Sequence, residues 1–249
     1  MDTALVTQLQ LQRNITRIPL TFIGCAAGLK AICLSKQLIT SDPEAVVLVV
    51  CVELCTLHIQ PTSDRDSLFG AAFFGDGASA CVVGTVSTHK RPVLQLGDTH
   101  SVLLPAGEEE MVWEVGNYGF DLYLSTNIPK LIGEWIPAEI ERLCANEKTE
   151  LWAIHPGGRG IVEALQQKYS LKDELVAPSL DVLREIGNVS SATILFVLEE
   201  MLQRLEAKAS QGASGIALAF GPGLTAEMVN ITYIPAVAAK KPLAYELYV

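Results

Sequence analysis

Positive charge is scarce in this sequence. Its 249 residues hold 18 lysines and arginines against 28 aspartates and glutamates, a formal net charge of −10, and the basic residues stand singly, with no stripe or cluster. That argues against nucleic acid as a partner, since a phosphate backbone is met by grouped cations. Long hydrophobic runs are missing too. The longest, Ala45 to Val52, is far shorter than the roughly 20 residues that cross a bilayer. The N-terminal string MDTALVTQLQLQRN is polar and helical in pattern, with no charged-then-apolar signal segment, so no membrane role is expected. The six cysteines, at 25, 33, 51, 55, 81 and 144, lack the regular loop spacing of a disulfide framework and read as reduced thiols of a cytoplasmic protein. Absent as well are the GK[ST] ending and the spaced G-x-G-x-x-G that nucleotide phosphates require; the strings FFGDGASA and AFGPGLTAE match neither.

What is present describes a globular, enzyme-like chain. Apolar residues make up 49% and charged residues 18%, with 19 glycines and 12 prolines, which excludes disorder. Helical stretches alternate with short β-branched runs, predicting a layered α/β fold. Leu29 to Ile39 reads as a helix, and Ala45 to Cys51 as a strand covered on both faces. A polar loop, QPTSDRDS, follows, then a strand from Ala78 to Val83 after the turn GDG. The string STHKRPV, residues 87 to 93, is the expected boundary between two units, 1–90 and 91–249. In the second unit TELWAI reads as a strand, HPGGRG as a turn and IVEALQQKY as a helix. Ile194, Val197, Leu198, Met201, Leu202 and Leu205 mark a long amphipathic helix opening at GNVSS, and GIALAF is expected as the last strand.

Three residues stand where chemistry is done, each with a plain structural alternative. Cys25 sits at the mouth of the first helix, where unpaired N–H groups lower a thiol by roughly 1.5 units, to around 7; it reads equally as a buried structural thiol. His155 ends a buried strand directly before PGG, where open α/β sheets place ligand and catalytic groups, or it is a satisfied strand-end histidine. Asn188 can cap the long helix or aim a neutral donor at an oxyanion. His89 and His100 read as solvated residues of connecting segments. The C-x3-C-x2-H string of Cys51, Cys55 and His58 has no fourth ligand at a workable spacing and Cys51 in a buried strand, so no metal is expected.

Together these strings resemble the type III polyketide synthases, the chalcone and stilbene synthase family of the thiolase superfamily. The carrying motifs are GCAAG around Cys25, DSLFGAAFFGDGASACVVG from Asp66 to Gly84, WAIHPGG around His155, GNVSSA around Asn188 and AFGPGLTAE near the end. The resemblance implies a thiolase-like α-β-α layered fold and an acyltransferase that condenses an acyl-CoA starter with malonyl-CoA by decarboxylative Claisen steps. The product would be an alkylpyrone, alkylresorcinol or similar phenolic polyketide. In that reading Cys25 carries the acyl chain, and His155 and Asn188 hold the extender thioester. Phe74 is the aromatic gatekeeper, and Phe220, Gly221, Pro222 and Gly223 shape the cyclisation cavity. CoA thioesters are substrates, no cofactor is required, and the full-length form is a homodimer.

Two other readings stay beside this one: a β-ketoacyl carrier-protein synthase III-like initiation enzyme of the same superfamily, and an inactive truncated remnant. The papain-like signature C-G-[SA]-C-[WY] is absent around Cys25, which ranks a protease well below. One departure is large. Family members carry well over a hundred residues before the nucleophile, so the resemblance implies that most of the first half-domain is missing, with its strands, dimer contacts and main basic residues for the CoA phosphates. The chain alone is then expected to expose apolar sheet surface, to associate, and to lack turnover.

Overall fold

The computed structural model describes residues 2–58, 68, 72–86, 91–116, 120–144, 148–208, 211–236 and 243–248. The polar loop expected at 60–67 and the residues 87–90 of the expected boundary, His89 included, lie outside the described residues, as does the stretch from Asp66 to Ala71 apart from Leu68.

The chain opens with a short helix, α1 (Asp2–Gln8), none of whose residues is buried. A 3-10 turn, Gly24–Ala26, then leads into α2 (Ala27–Ser41), whose Leu29, Ile32, Cys33 and Ile39 fall on one buried face, the spacing of an amphipathic helix. Strands β1 (Val46–Leu54), β2 (Asp76–Val86), β3 (Val93–Leu103), β4 (Met111–Val115) and β5 (Phe120–Leu124) follow, then α3 (Ile128–Cys144), β6 (Leu151–Ile154), α4 (Arg159–Tyr169) and α5 (Asp173–Glu185). A second 3-10 turn, Ser190–Ala192, enters α6 (Thr193–Ala207). GIALAF is not the last strand: β7 (Ala213–Gly221) turns at Pro222–Leu224 into β8 (Thr225–Ile234), and β9 (Leu243–Tyr248) comes after it.

Seven strands form one sheet in the order β1-β2-β9-β3-β8-β7-β6, antiparallel throughout except for the parallel β6–β7 pair; β4 and β5 make a separate hairpin. The sheet wraps around α2 and α6, so α2 meets β1 and β2 on one side and β7 and β8 on the other. Strand alternation decides what faces this central layer. Along β7, Ala217 and Ala219 point to α2 and α6, whereas Ile216, Leu218 and Phe220 point outward into a second cluster with Ile132 and Ile136 of α3 and Val162 and Leu165 of α4.

The expectation for β1 needs correction. Val49 and Cys51 are buried, but the opposite face is not covered: Val46, Leu48, Val50 and Leu54 are all exposed, and Ala78 and Ala80 continue the same bare surface onto β2. β1 is also the terminal strand, with one edge unpaired among the described residues.

Candidate active site

Cys25 occupies the middle of the Gly24–Ala26 turn, directly before α2. Gly24 takes a left-handed φ of +58°, and a Cβ there would lie 2.6 Å from Pro222 Cδ, so only glycine lets the Cys25 turn sit against the 222–224 turn. A Cβ on Gly28 would stand 2.2 Å from the Ser191 carbonyl oxygen, so the first turn of α2 packs backbone-close on the 188–192 turn. Two glycines of one motif thus bring Cys25 to both of the later motifs.

Asn188 does not cap α6. The 3-10 turn intervenes, and the residue before α6, Ala192, offers no side-chain cap. Asn188 instead organises the turn: its Oδ1 accepts from Ser190 N at 2.9 Å and from Thr193 Oγ1 at 3.4 Å, while its Nδ2 donates to the Gly157 carbonyl at 3.2 Å. It is 1% exposed, and the turn it organises lies against the turn that carries Cys25. Phe74 pairs with Asn188 as an isolated parallel bridge, with Gly75 N donating to the Asn188 carbonyl at 2.9 Å. Phe73 packs edge-on against Phe74 at a centroid distance of 6.1 Å.

His155 lies just past β6, where its N–H continues the ladder to the Leu218 carbonyl at 2.8 Å. It is 1% exposed, and neither Nδ1 nor Nε2 has a hydrogen-bond partner among the described residues. A satisfied strand-end histidine is therefore ruled out. Two buried, unpaired ring nitrogens beside Gly157, which Asn188 bonds, leave polar capacity for something that enters the site.

The charge state of Cys25 differs from the sequence expectation. Burial pushes the Cys25 thiol up to about 12, with Glu53 and Cys55 adding to the rise, against the opposing hydrogen bonds of Ser190 and Asn188. Burial likewise presses His155 down to about 3. Desolvation outweighs the pull of the helix end, which is worth at most about 2 kcal/mol. The resting pair is a neutral thiol and a neutral imidazole.

Gly221 faces the nucleophile turn, and Pro222 and Gly223 help line an open cleft of about 330 Å³ with Phe22, Met111 and Trp113, the last two from the β4–β5 hairpin, and Glu108 nearby. Phe220 does not join them. At 1% exposed it belongs to the outer core cluster, because it shares the parity of Ile216 and Leu218 rather than that of Gly221. His100 is no solvated loop residue either: it lies in β3, part-buried, with Nε2 2.7 Å from Glu139 Oε2.

Cys25, Asn188 and His155 thus converge from three distant segments. Residues 95–235 match the family profile of the chalcone and stilbene synthases, C-terminal domain, and residues 1–87 that of the N-terminal domain. The chain belongs to the chalcone and stilbene synthase family. Proteins of Mycobacterium tuberculosis and Mycobacterium bovis, described as alpha-pyrone synthesis polyketide synthase-like, are 35% identical over 237 residues, 91% of this chain and 60% of theirs. The crystal structure of a polyketide synthase, PKS-I, of the brown alga Ectocarpus siliculosus superposes with a TM-score of 0.85 at 29% identity, covering 94% of this chain and 64% of that one. The fold of this type III polyketide synthase homologue is accordingly thiolase-like and mixed α/β. The chain spans about three-fifths of the length of the mycobacterial relatives.

Two features near the site were given no role by the sequence. Glu53, in β1, accepts from Ser191 Oγ and, at 3.3 Å, from Ser191 N. Glu227, 4% exposed, accepts from Lys30 Nζ at 3.0 Å and Ser101 Oγ at 2.7 Å, tying α2 to β8 and β3 about one helical turn beyond Cys25. A single acid inside the apolar run VVLVVCVEL was the available signal for Glu53, and the closing acid of AFGPGLTAE for Glu227.

Proposed function

We propose that this chain carries the acyl-transfer and condensation site of a type III polyketide synthase, with Cys25 as nucleophile and His155 and Asn188 as donors to the extender. The observation that supports it most is that neither ring nitrogen of the buried His155 has a partner among the described residues, beside Gly157, which Asn188 bonds. Cys25 Sγ attacks the starter acyl-CoA carbonyl; its proton passes to His155 and on to the departing CoA thiolate. Malonyl-CoA then loses carbon dioxide, and the negative charge left on its thioester oxygen is met by an imidazole N–H and the amide N–H of Asn188. Losing one such donor costs on the order of 2.7–4 kcal/mol in the transition state. The enolate carbon attacks the Cys25 thioester, the extended β-ketoacyl-CoA leaves, and the freed thiolate takes a proton from solvent.

The cleft beside Pro222 and Gly223 suits the growing apolar chain, and the name of the mycobacterial relatives puts a pyrone-type product first. The six free cysteines support a cytoplasmic setting, and among the described residues no helix is long and apolar enough to cross a membrane. A homodimer, and a division into halves 1–90 and 91–249, complete the proposal. A second reading, a chain inactive by itself, is favoured by the bare face of β1.

The test is incubation with a range of acyl-CoA starters and mapping of the adduct by mass spectrometry. Acylation at Cys25 is expected; acylation at Cys33 or Cys51 instead would overturn the assignment. Asn188→Ala should load normally yet decarboxylate malonyl-CoA at least about a hundredfold more slowly, and His155→Gln, which still donates, should exceed His155→Ala.

A further inference from the structure

Two groups of strands, β1–β2 and β3-β8-β7-β6, form one sheet only through β9. That strand lies between them and pairs antiparallel with both, with Val82, Val83, Gly84 and Val86 on β2 and with Leu94 and Gln95 on β3. Among the described strands no other joins the two groups. The groups follow the two halves of the family match, residues 1–87 and 95–235, and β9 lies beyond both. The two profiles thus cover the body of every other strand in the sheet and omit the joint.

The joint is lightly made. Pairing to β2 shifts register between Gly84 and Val86, and pairing to β3 rests on two successive residues, whereas β3 runs along β8 from Val93 to Leu103. Nor do the halves depend on it to stay together. α2 meets β1 and β2 as well as β7 and β8, and Gly28 seats its first turn on the Ser191 carbonyl. A short ladder over a core that is closed without it belongs to the low end of the local stabilities within a fold. Its opening bares the edges of β2 and β3, each a row of unpaired N–H and C=O groups that templates another strand. We propose that the gap between β2 and β3 is a strand-binding slot, filled by the chain's own strand β9, which releases as a unit and is replaceable by the same strand of a second copy. The occupant names the partner. The slot is one strand wide and takes an extended segment antiparallel to both walls, a demand that LAYELY meets in cis and the LAYELY of another copy meets equally.

The experiment uses the 249-residue chain with no acyl-CoA present. In hydrogen exchange read by mass spectrometry, residues 243–248 should exchange at least about tenfold faster than residues 225–234 of β8, through an opening that leaves β8 protected. Equal rates would overturn release as a unit, and this measurement needs no variant. Glu246→Pro with Leu247→Pro then removes one ladder donor towards each wall, because successive N–H groups of a strand point to opposite sides. A fluorescein-labelled LAYELY peptide, at up to about 1 mM, should raise its anisotropy with this variant and bind it at least about tenfold more tightly than wild type, whose slot is occupied at high effective concentration. A peptide carrying the same two prolines should bind neither chain. Equal binding of LAYELY to both chains, or none to the variant, would overturn the slot. Protection of β7 and β8 in the variant within about twofold of wild type supports a separable strand, and its loss throughout β7 and β8 would place β9 in the common core and overturn the proposal. A chain that passes these tests yet accepts no acyl group keeps the slot and loses only the proposed function.

Discussion

The two outer faces of the sheet are built from the same kind of residue and meet opposite fates. On β6–β8 the outward residues Trp152, Ile154, Ile216, Leu218, Phe220 and Met228 are 3% exposed or less, because α3 and α4 lie over them. On β1 the outward residues Val46, Leu48, Val50 and Leu54 are 73%, 39%, 36% and 50% exposed. The inner face of β1 is as well packed as any, through Val49 and Cys51. Composition therefore does not separate the two faces; cover does. An apolar alternation states that a face is made to be buried, and leaves open which element does the burying. On the β6–β8 side the chain itself supplies the helices. On the β1–β2 side the described helices in contact, α2 and α6, are already committed to the interior.

The contrast between the faces can be tested most severely through stability. Ile136→Ala, in the covered layer and 0% exposed, should destabilise the chain by about 2–5 kcal/mol in urea denaturation, whereas Leu48→Ala should stay within about 0.5 kcal/mol. Equal losses would mean that the β1 face is buried in solution. Next in size is the acid limb of stability on the covered side. His155 falls from an ordinary 6.5 to about 3 in the folded chain, so below pH 6.5 the unfolded state binds the proton that the folded state refuses. Stability should fall as pH drops from about 6.5 towards 3 and be unaffected by this group above that window. His155→Gln should flatten that limb; an unchanged pH series would show that the imidazole is solvated. The smallest change in stability belongs to the bare face: Val46→Lys with Val50→Lys should leave the denaturation midpoint nearly unchanged while lowering self-association in sedimentation and the binding of an apolar dye. Unaltered association would remove the uncovered face as its cause.

Much of the site was legible because its parts are local strings. GCAAG, HPGG and GNVSS each hold a candidate residue beside the turn that presents it, and the structure brings the three segments together around Asn188. What escaped is relational. Glu53 and Ser191 are 138 positions apart, and Lys30 and Glu227 are 197, so no window along the chain contains either pair. The outward direction of Phe220 is written in its own neighbourhood: in IALAFG the large residues occupy one parity and the small ones the other, which separates it from Gly221 by strand alternation alone. The charge states have no such local record. A helix mouth predicts a depressed thiol, and only the packed surroundings reveal that desolvation prevails. α3, β4 and β5, which furnish the outer cover and the wall of the cleft, carry no catalytic motif, so nothing in their residues points to the site.

The backbone-close seat of Gly28 on Ser191 has a consequence in time as well as in space. With no side chain between them, the entry of α2 and the turn before α6 share one frame, and Lys30 in turn fixes α2 to Glu227 of β8. The spacing of nucleophile and amide is then insulated from the nanosecond wandering of loops and changes only when two buried helices part, an event on the slow scale of sub-global opening. The β4–β5 hairpin, by contrast, forms its own two-stranded ribbon outside the main sheet and meets the site only as a wall of the cleft.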